Sequence, residues 1–429
     1  MLAHARVRYR PSTSSAELVS SPSFKPQPSI AWGMAKLCPL MDGAIEMFNV
    51  CWESGIWPWP LGDMEESCEM HAPKVTRGLI YLDQCFRGIS EVVFMNNPVS
   101  GLVIMVALMI FDTRVSLHGL LGVLVSTGTA KVLRAKCYKG YDGVDSGLFG
   151  FNGFLVGLGV ATFIADDKLE SNVEQAIMVT IFSILCCIVQ TAVAGWLTPM
   201  PYLTLPFNIC VMRLLGVAHS YTRFSSALVP GLMDATGGQM TPQDYCIREL
   251  SGDSCDTALD YVTGFLVATL HGVGQIYLAQ STLSGAMILV AMSLCSPACA
   301  LLTALGSATG CATALLVGGN PVGVHAELWG FNPALTCCAI GGGVFGSRGP
   351  LQWCAGVCGA VVTVFLQHSM AELLAQGGFV PFTAPFCLGS LFLLAADFVP
   401  PHPSDVDELT RQSSLTVRVV DGFIPRGGR

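Results

Sequence analysis

Between Asp260 and Glu327 the chain contains no Asp, Glu, Lys or Arg, and residues 175–212 form a second charge-free stretch. About 20 apolar residues in a helix cross a bilayer, so each stretch holds more than one crossing. A soluble chain of 429 residues can bury single apolar helices, but not so many in succession. Charged residues make up 12% of the chain, against roughly 25% in soluble domains. The pattern is that of an all-α polytopic membrane protein.

Other classes fall away on similar grounds. The acidic residues behind the net charge of −8 are scattered, and no basic stripe interleaved with aromatics points to nucleic acid. The opening run MLAHARVRYRPSTSS is basic but lacks the apolar core and cleavage-like site of a signal peptide. Many of the 18 cysteines, among them Cys186, Cys187, Cys295, Cys299, Cys311, Cys337 and Cys338, lie inside apolar runs, where they act as small packing residues. CSPAC and CAGVC have no His partners at zinc spacing, so no metal and no cofactor are implied. Cys246 and Cys255, in a polar loop, are the pair placed to form a disulfide. The apolar blocks show no nucleophile–base pair, and an enzyme is not expected.

The chain divides by composition. Residues 1–75 form an N-terminal tail, Ser/Pro-rich and disordered up to about residue 35, followed by a tryptophan-bearing stretch, WESGIWPWPLGD, that suits either a membrane interface or a linker. A first apolar block covers 76–217, with segments near 99–111, 115–130, 148–165, 175–197 and 201–217. A polar loop, 218–257, precedes a second block at 258–399, and a polar tail, 400–429, closes the chain.

The two blocks repeat one another. LFGFNGFL at 148–155 is echoed by LWGFNPAL at 328–335, MPYLTLPFN at 200–208 by VPFTAPFC at 380–387, and GISEVVF at 88–94 by GVGQIYL at 272–278. The order is the same and the offsets, 180, 179 and 184 positions, are nearly constant. Three such echoes mark an internal duplication. In a membrane protein, halves with an odd number of crossings enter the bilayer in opposite senses, related by a pseudo-two-fold axis in the membrane plane. Prolines in NNPVSG, TLPFN and TAPFC end or kink helices and free backbone carbonyls, and broken helices persist only inside protein or beside water. The duplicated breaks therefore outline a permeation path.

Several residues on that outline have two readings. The Thr204 and Thr383 hydroxyls either bond back to their own helices or form a paired polar constriction at the axis; their symmetric placement favours the second. Glu91 and Gln275 occupy equivalent positions in segments that suit re-entrant helices. Glu91 is either a functional group at membrane depth or a segment end in a wet vestibule. Phe94, Phe151 and Phe331 fit ordinary packing as well as a slot wall. Gly150, Gly153, Gly157 and Gly341–Gly343 suit close helix contacts. Asn152 and Asn332 either cap broken helices or touch a solute. His271, His325 and His368 form no cluster, so a proton relay has no support.

At this point GISEVVFMNNPVSG, SGLFGFNGFLVG, MPYLTLPFN, GVGQIY, LWGFNPALTCCAIGG and PFTAPFC closely resemble the urea transporter family of channel-like permeases, over roughly residues 80–397. The resemblance implies two inverted repeats, each of about five transmembrane helices plus a re-entrant pore helix, with the pore between the halves. It also implies a homotrimer with one pore per subunit, in the plasma membrane. By similarity Thr204 and Thr383 flank the narrowest part of the filter, Glu91 and Gln275 take the two pore-helix positions usually held by glutamine, and Phe94, Leu278, Leu155 and Leu335 are the apolar walls of a flat slot. The chain departs from the pattern in places. Met200 and Val380 replace the leading Leu of the signature, the second copy is one residue short between Pro381 and Thr383, Glu91 replaces glutamine, QSTLSG stands for NNPVSG in the second half, and Glu327 occupies a position where a small residue is expected.

A neutral planar amide suits such a path. Stripping it of water without replacement hydrogen bonds costs on the order of a few kcal/mol, which carbonyls and Thr hydroxyls offset, while apolar walls exclude thicker solutes. Several weak sites conduct better than one tight site. The expected function is passive flux of urea, with analogues, ammonia or water as further solutes. A water or ammonia channel on the same frame and an ion-coupled transporter using Glu91 or Glu327 are the rivals. Arg6, Arg8 and Arg10 before the first crossing, Arg411, Arg418, Arg426 and Arg429 after the last, and an even number of crossings place both termini in the cytoplasm. The cluster Lys131, Arg134, Lys136 and Lys139 does not decide the topology.

Overall fold

The computed structural model describes residues 74–136, 143–164, 171–197, 200–220, 258–317, 329–342, 344, 350–375 and 379–396. Cys246, Cys255, His325, Glu327, Gly343, Lys139, the terminal arginines and the tryptophan-bearing stretch lie outside them. Described residues form twelve α-helices and no strand. The first six are α1 (Lys74–Glu91), α2 (Pro98–Phe111), α3 (Thr113–Lys136), α4 (Gly150–Phe163), α5 (Ser171–Leu197) and α6 (Leu205–Ser220). The second six are α7 (Ala258–Gln275), α8 (Thr282–Cys295), α9 (Pro297–Leu316), α10 (Phe331–Gly341), α11 (Pro350–Ala375) and α12 (Ala384–Ala395). The two series match in order and closely in length: α1 and α7 both have 18 residues, α2 and α8 both 14, α5 and α11 27 and 26.

Four helices, α3, α5, α9 and α11, contain segments long and apolar enough to cross a membrane. Their outer faces are apolar and exposed, with Ile177, Ile181, Ile188 and Trp196 on α5 and Leu351, Val362, Phe365 and Leu373 on α11. Such faces are stable against hydrocarbon and not against water. By contrast, α4 and α10, of 14 and 11 residues, are buried on nearly every side. At about 1.5 Å per residue they are shorter than the ~30 Å bilayer core, so their ends fall inside protein.

Caps explain where the chain breaks. Asn97 opens α2, its Oδ1 accepting from the N–H groups of Val99 (2.8 Å) and Ser100 (3.2 Å), and Pro98 takes a first-turn position where no N–H is needed. In the second half Ser281 does the same work, accepting from Ser284 N–H at 3.3 Å. The replacement of NNPVSG by QSTLSG thus keeps the N-cap acceptor. Asp112 and Ser296 likewise cap α3 and α9, accepting from Val115 (3.0 Å) and Cys299 (3.3 Å). Helix α3 runs past the apolar segment to Lys136 because its charges are satisfied: Lys131 lies over the Tyr81 ring at 5.7 Å and Arg134 pairs with Asp145 at 2.7 Å. Helix α4 begins at Gly150 rather than Leu148, since Gly143 (φ 93°) and Gly147 (φ 84°) fold the preceding residues into turns.

The two series share one continuous core that includes Ile89, Phe154, Tyr277, Ile288 and Phe386. At its centre α2 and α8 touch through a reciprocal pair of bonds: the Ser100 hydroxyl donates to Ala291 C=O (2.6 Å) and the Ser284 hydroxyl to Ala107 C=O (3.3 Å). One pair joins the start of α2 to the end of α8 and the other the reverse, so the helices run antiparallel. Gly101 and Gly285 allow α2 and α8 to approach α1 and α7: a Cβ at either would collide with the carbonyl of Phe86 or of Leu270.

Candidate functional site

Among the described residues, four non-glycine residues adopt left-handed backbone, Phe94 (φ 63°), Leu278 (φ 58°), Leu203 (φ 50°) and Phe382 (φ 46°). They form two equivalent pairs, and each ends or precedes a helix break. Past Glu91 the chain closes α1 with Phe94 N–H bonded to Glu91 C=O (3.0 Å) and Met95 N–H to Ser90 C=O (3.0 Å). Past Gln275 it closes α7 with Leu278 N–H on Gln275 C=O (2.9 Å) and Ala279 N–H on Gly274 C=O (3.2 Å). This is the Schellman arrangement, with Phe and Leu where glycine is usual. A side chain there costs about 1–2 kcal/mol, tolerated where surrounding structure dictates the conformation. Both breaks therefore present an apolar side chain at a position where glycine would be easier.

The other pair is held by the asparagines of the repeated phrase. Asn152 is fully buried; its amide donates to Gln190 Oε1 (3.1 Å) and Leu203 C=O (3.4 Å), and its Oδ1 accepts from Phe207 N–H (3.3 Å). Asn332, also fully buried, donates to Gln367 Oε1 (3.0 Å) and Phe382 C=O (2.9 Å) and accepts from Phe386 N–H (3.4 Å). Each asparagine thus clamps the left-handed residue and caps the short helix after it. The shortened signature of the second half is accommodated here: Phe382 takes the place of Leu203, and the missing residue is absorbed before it.

Between the clamps the two halves meet at Thr204 and Thr383, whose Oγ1 atoms are 2.7 Å apart. Neither hydroxyl bonds back to its own helix among the described bonds. The Thr204 hydroxyl also reaches Cys387 Sγ at 3.2 Å. One helical turn beyond each threonine stand Asn208 and Cys387, equivalent in position and different in chemistry. The Asn208 amide donates to Thr383 Oγ1 (3.0 Å) and Thr204 C=O (2.8 Å), and its Oδ1 accepts from Thr383 N–H (3.1 Å).

On the Glu91 side of this junction lies a cavity of about 30 Å³ lined by Glu91, Val92, Phe94, Leu148, Phe151, Pro201, Tyr202, Leu203, Thr204 and Phe386, room for roughly two molecules of water size. Phe94 and Phe386 meet edge to face at 6.0 Å, and Phe151 and Tyr202 stack at 6.1 Å. Glu91 is 3% exposed, and its Oε1 accepts from the Asn96 amide at 3.1 Å. Asn96 Oδ1 in turn accepts from Arg87 at 2.7 Å, and Arg87 pairs with Asp83 at 2.7 Å.

Of the residues singled out in the sequence, the cavity brings together Glu91, Phe94, Phe151 and Thr204, and Thr383 adjoins through its bond to Thr204. Gln275 and Leu278 stand at the equivalent break of the second half. Leu155 and Leu335 are 1% exposed, and Phe331 is buried; none of the three lines this cavity. His271 Nε2 lies 2.8 Å from the Thr282 hydroxyl and His368 stacks on Trp329, and no group of His, Cys, Asp or Glu that could hold a metal occurs among the described residues. Tyr202, Phe386, Asn208, Cys387, Asn96 and Arg87 were not singled out, although Tyr202, Phe386, Asn208 and Cys387 lie inside the echoed signatures.

Twelve helices among the described residues, four of them long and apolar enough to span a bilayer and bearing exposed apolar faces, define a multi-pass membrane protein. The family model described as Urea transporter matches residues 82–398. Urea transporter 1 of Ovis aries is 33% identical over 336 residues, covering 78% of this chain and 81% of that protein. Urea transporter 1 of Capra hircus shows the same figures, and that of Mus musculus is 32% identical over 336 residues with the same coverage. The chain belongs to the urea transporter family.

Proposed function

We propose that this chain carries urea passively across the membrane through a narrow slot between two inverted halves, residues 76–217 and 258–399, with 218–257 as connecting loop and 1–75 and 400–429 as tails. The observation that carries the reading is the Thr204–Thr383 junction, 2.7 Å across, between paired helix breaks. Urea replaces that hydroxyl–hydroxyl bond with its own N–H donors as it passes, so little hydrogen bonding is lost at the tightest point. Glu91 and Gln275 accept from urea at the two mouths, and Phe94, Leu278, Leu155 and Leu335 keep the slot flat and apolar. The reciprocal Ser100–Ala291 and Ser284–Ala107 bonds support the inversion, because an in-plane two-fold axis makes equivalent contacting helices antiparallel. Each half then supplies five crossings and one re-entrant helix, consistent with the six helices described in each.

The protein is a homotrimer in the plasma membrane, with one slot per subunit and both termini cytoplasmic. Reconstitution in liposomes tests the central reading by comparing urea, thiourea, ammonia and water fluxes. Urea flux well above protein-free liposomes is expected; flux of water or ammonia without urea would overturn it.

A further inference from the structure

The junction of the two halves is symmetric in its threonines and asymmetric one turn on, where Asn208 stands in one half and Cys387 in the other. The orientation of the Asn208 amide is fixed by its partners. Its Oδ1 faces the Thr383 backbone N–H (3.1 Å), which can only donate, and its Nδ2 faces the Thr204 carbonyl (2.8 Å), which can only accept. The second Nδ2 hydrogen therefore points at Thr383 Oγ1, 3.0 Å away, and Thr383 receives it on a lone pair. Both threonines are buried, where a hydroxyl proton without an acceptor costs free energy. Of the two senses of the Thr204–Thr383 bond, one leaves the Thr383 proton with no acceptor among the described bonds. The other gives each proton a partner: Thr383 donates to Thr204 (2.7 Å), and Thr204 donates to Cys387 Sγ (3.2 Å). The bonds thus run one way, from Asn208 through Thr383 and Thr204 to Cys387.

We propose that Asn208 is a positioning residue for transport: by fixing the sense of this chain it turns the lone pairs of both threonines, and neither proton, towards the path, which selects solutes that donate. The proposal rests on the reading of the junction as the constriction of the urea path. Urea is rich in N–H donors and has a single carbonyl, so a wall of lone pairs meets most of what it offers. Water has as many acceptor sites as donors, and its acceptor sites go unmet there. Cys387 suits the far end because a thiol is a weak donor and leaves the sense of the chain to the amide. A second amide at that position would donate to Thr204 as Asn208 does to Thr383. The two hydroxyl protons would then compete for a single Thr–Thr bond, and the loser would face the path.

The experiment measures urea and water flux in proteoliposomes of the full-length wild type, Asn208→Cys, Cys387→Asn and the double swap of the two, with Asn208→Leu in the wild-type and Thr383→Val backgrounds. Each single exchange is expected to lower the urea-to-water flux ratio by about two- to tenfold, the scale of one hydrogen bond on the barrier. The double swap, which again pairs one amide with one thiol and reverses the sense, is expected to recover most of the wild-type ratio. Asn208→Leu is expected to lower the ratio only while Thr383 keeps its hydroxyl. Cys387→Asn leaves Asn208 in place, so it reads the sense of the chain even where replacing Asn208 prevents folding. A wild-type ratio in Cys387→Asn, a double swap no better than the worse single exchange, or the same loss from Asn208→Leu in both backgrounds would each overturn the proposal. Wild type without urea flux above protein-free liposomes would instead remove the transport reading, so the two failures are distinguishable.

Discussion

The asparagine of each Gly-Phe-Asn phrase explains why the chain repeats those words. Asn152 and Asn332 use both ends of the side-chain amide, donating to the carbonyl of a left-handed residue and accepting from the N–H of the following helix. Replacing Asn332 by Ala leaves buried partners without bonds, at about 1–3 kcal/mol for a buried group. A lower midpoint in thermal denaturation of the purified protein is expected; an unchanged midpoint would show that the clamp is redundant. The threonines are better tests of transport than of stability. Thr204→Val removes one hydroxyl while Thr383 keeps its bonds to Asn208. Loss of about 0.5–1.5 kcal/mol, if it falls on the barrier, slows urea several-fold, measurable by stopped-flow shrinkage of proteoliposomes. Flux equal to wild type would take the hydroxyl out of the path. Both threonines were legible in the sequence because they stood in matched phrases. Asn208 and Cys387 were not, although they follow at the same spacing, because an Asn in one half and a Cys in the other do not look like a pair.

The start of α2 followed its local signal closely, with the cap residue Asn97 beside Pro98. Helix boundaries departed from such signals where tertiary contacts intervened, as in the extension of α3 through Lys131 and Arg134. The closest helix approaches rest on glycine. A methyl group at Gly285 would strike the Leu270 carbonyl, and one at Gly101 the Phe86 carbonyl, whereas at Gly78 and Gly195 nothing lies within 4 Å. Gly285→Ala and Gly101→Ala are therefore expected to reduce the yield of folded, monodisperse protein sharply in size-exclusion chromatography, and Gly195→Ala to leave it near wild type. Equal yields for all three would mean that α2 and α8 can move apart freely. A list of 46 glycines does not single out these two; only the packing does.

The centre of the proposed path, at Thr204, Thr383, Asn208 and Cys387, is made of neutral hydroxyls, an amide and a thiol, which supports the proposal of uncoupled flux. Urea flux is accordingly expected to follow its own gradient and to be unchanged when sodium and proton gradients are collapsed; flux that stops on their collapse would require a coupling site. If the proposed ten crossings and cytoplasmic termini hold, an epitope at either terminus is reached by antibody only after permeabilisation, and labelling of intact cells would reverse that proposed topology. The class of protein and the duplication followed from the amino-acid order alone. Charge-free stretches tens of residues long have no stable home in water, and three echoes at nearly constant offset need no coordinates to be seen. What required the folded molecule was everything that depends on two distant segments meeting. The bond between Thr204 and Thr383 spans 179 positions, and the left-handed turns at Leu203 and Phe382 exist because Asn152 and Asn332 hold them from other helices. Local preference in fact opposes those turns, since an L-residue with a side chain disfavours positive φ; only long-range hydrogen bonds and packing overcome it, and these are set by tertiary structure.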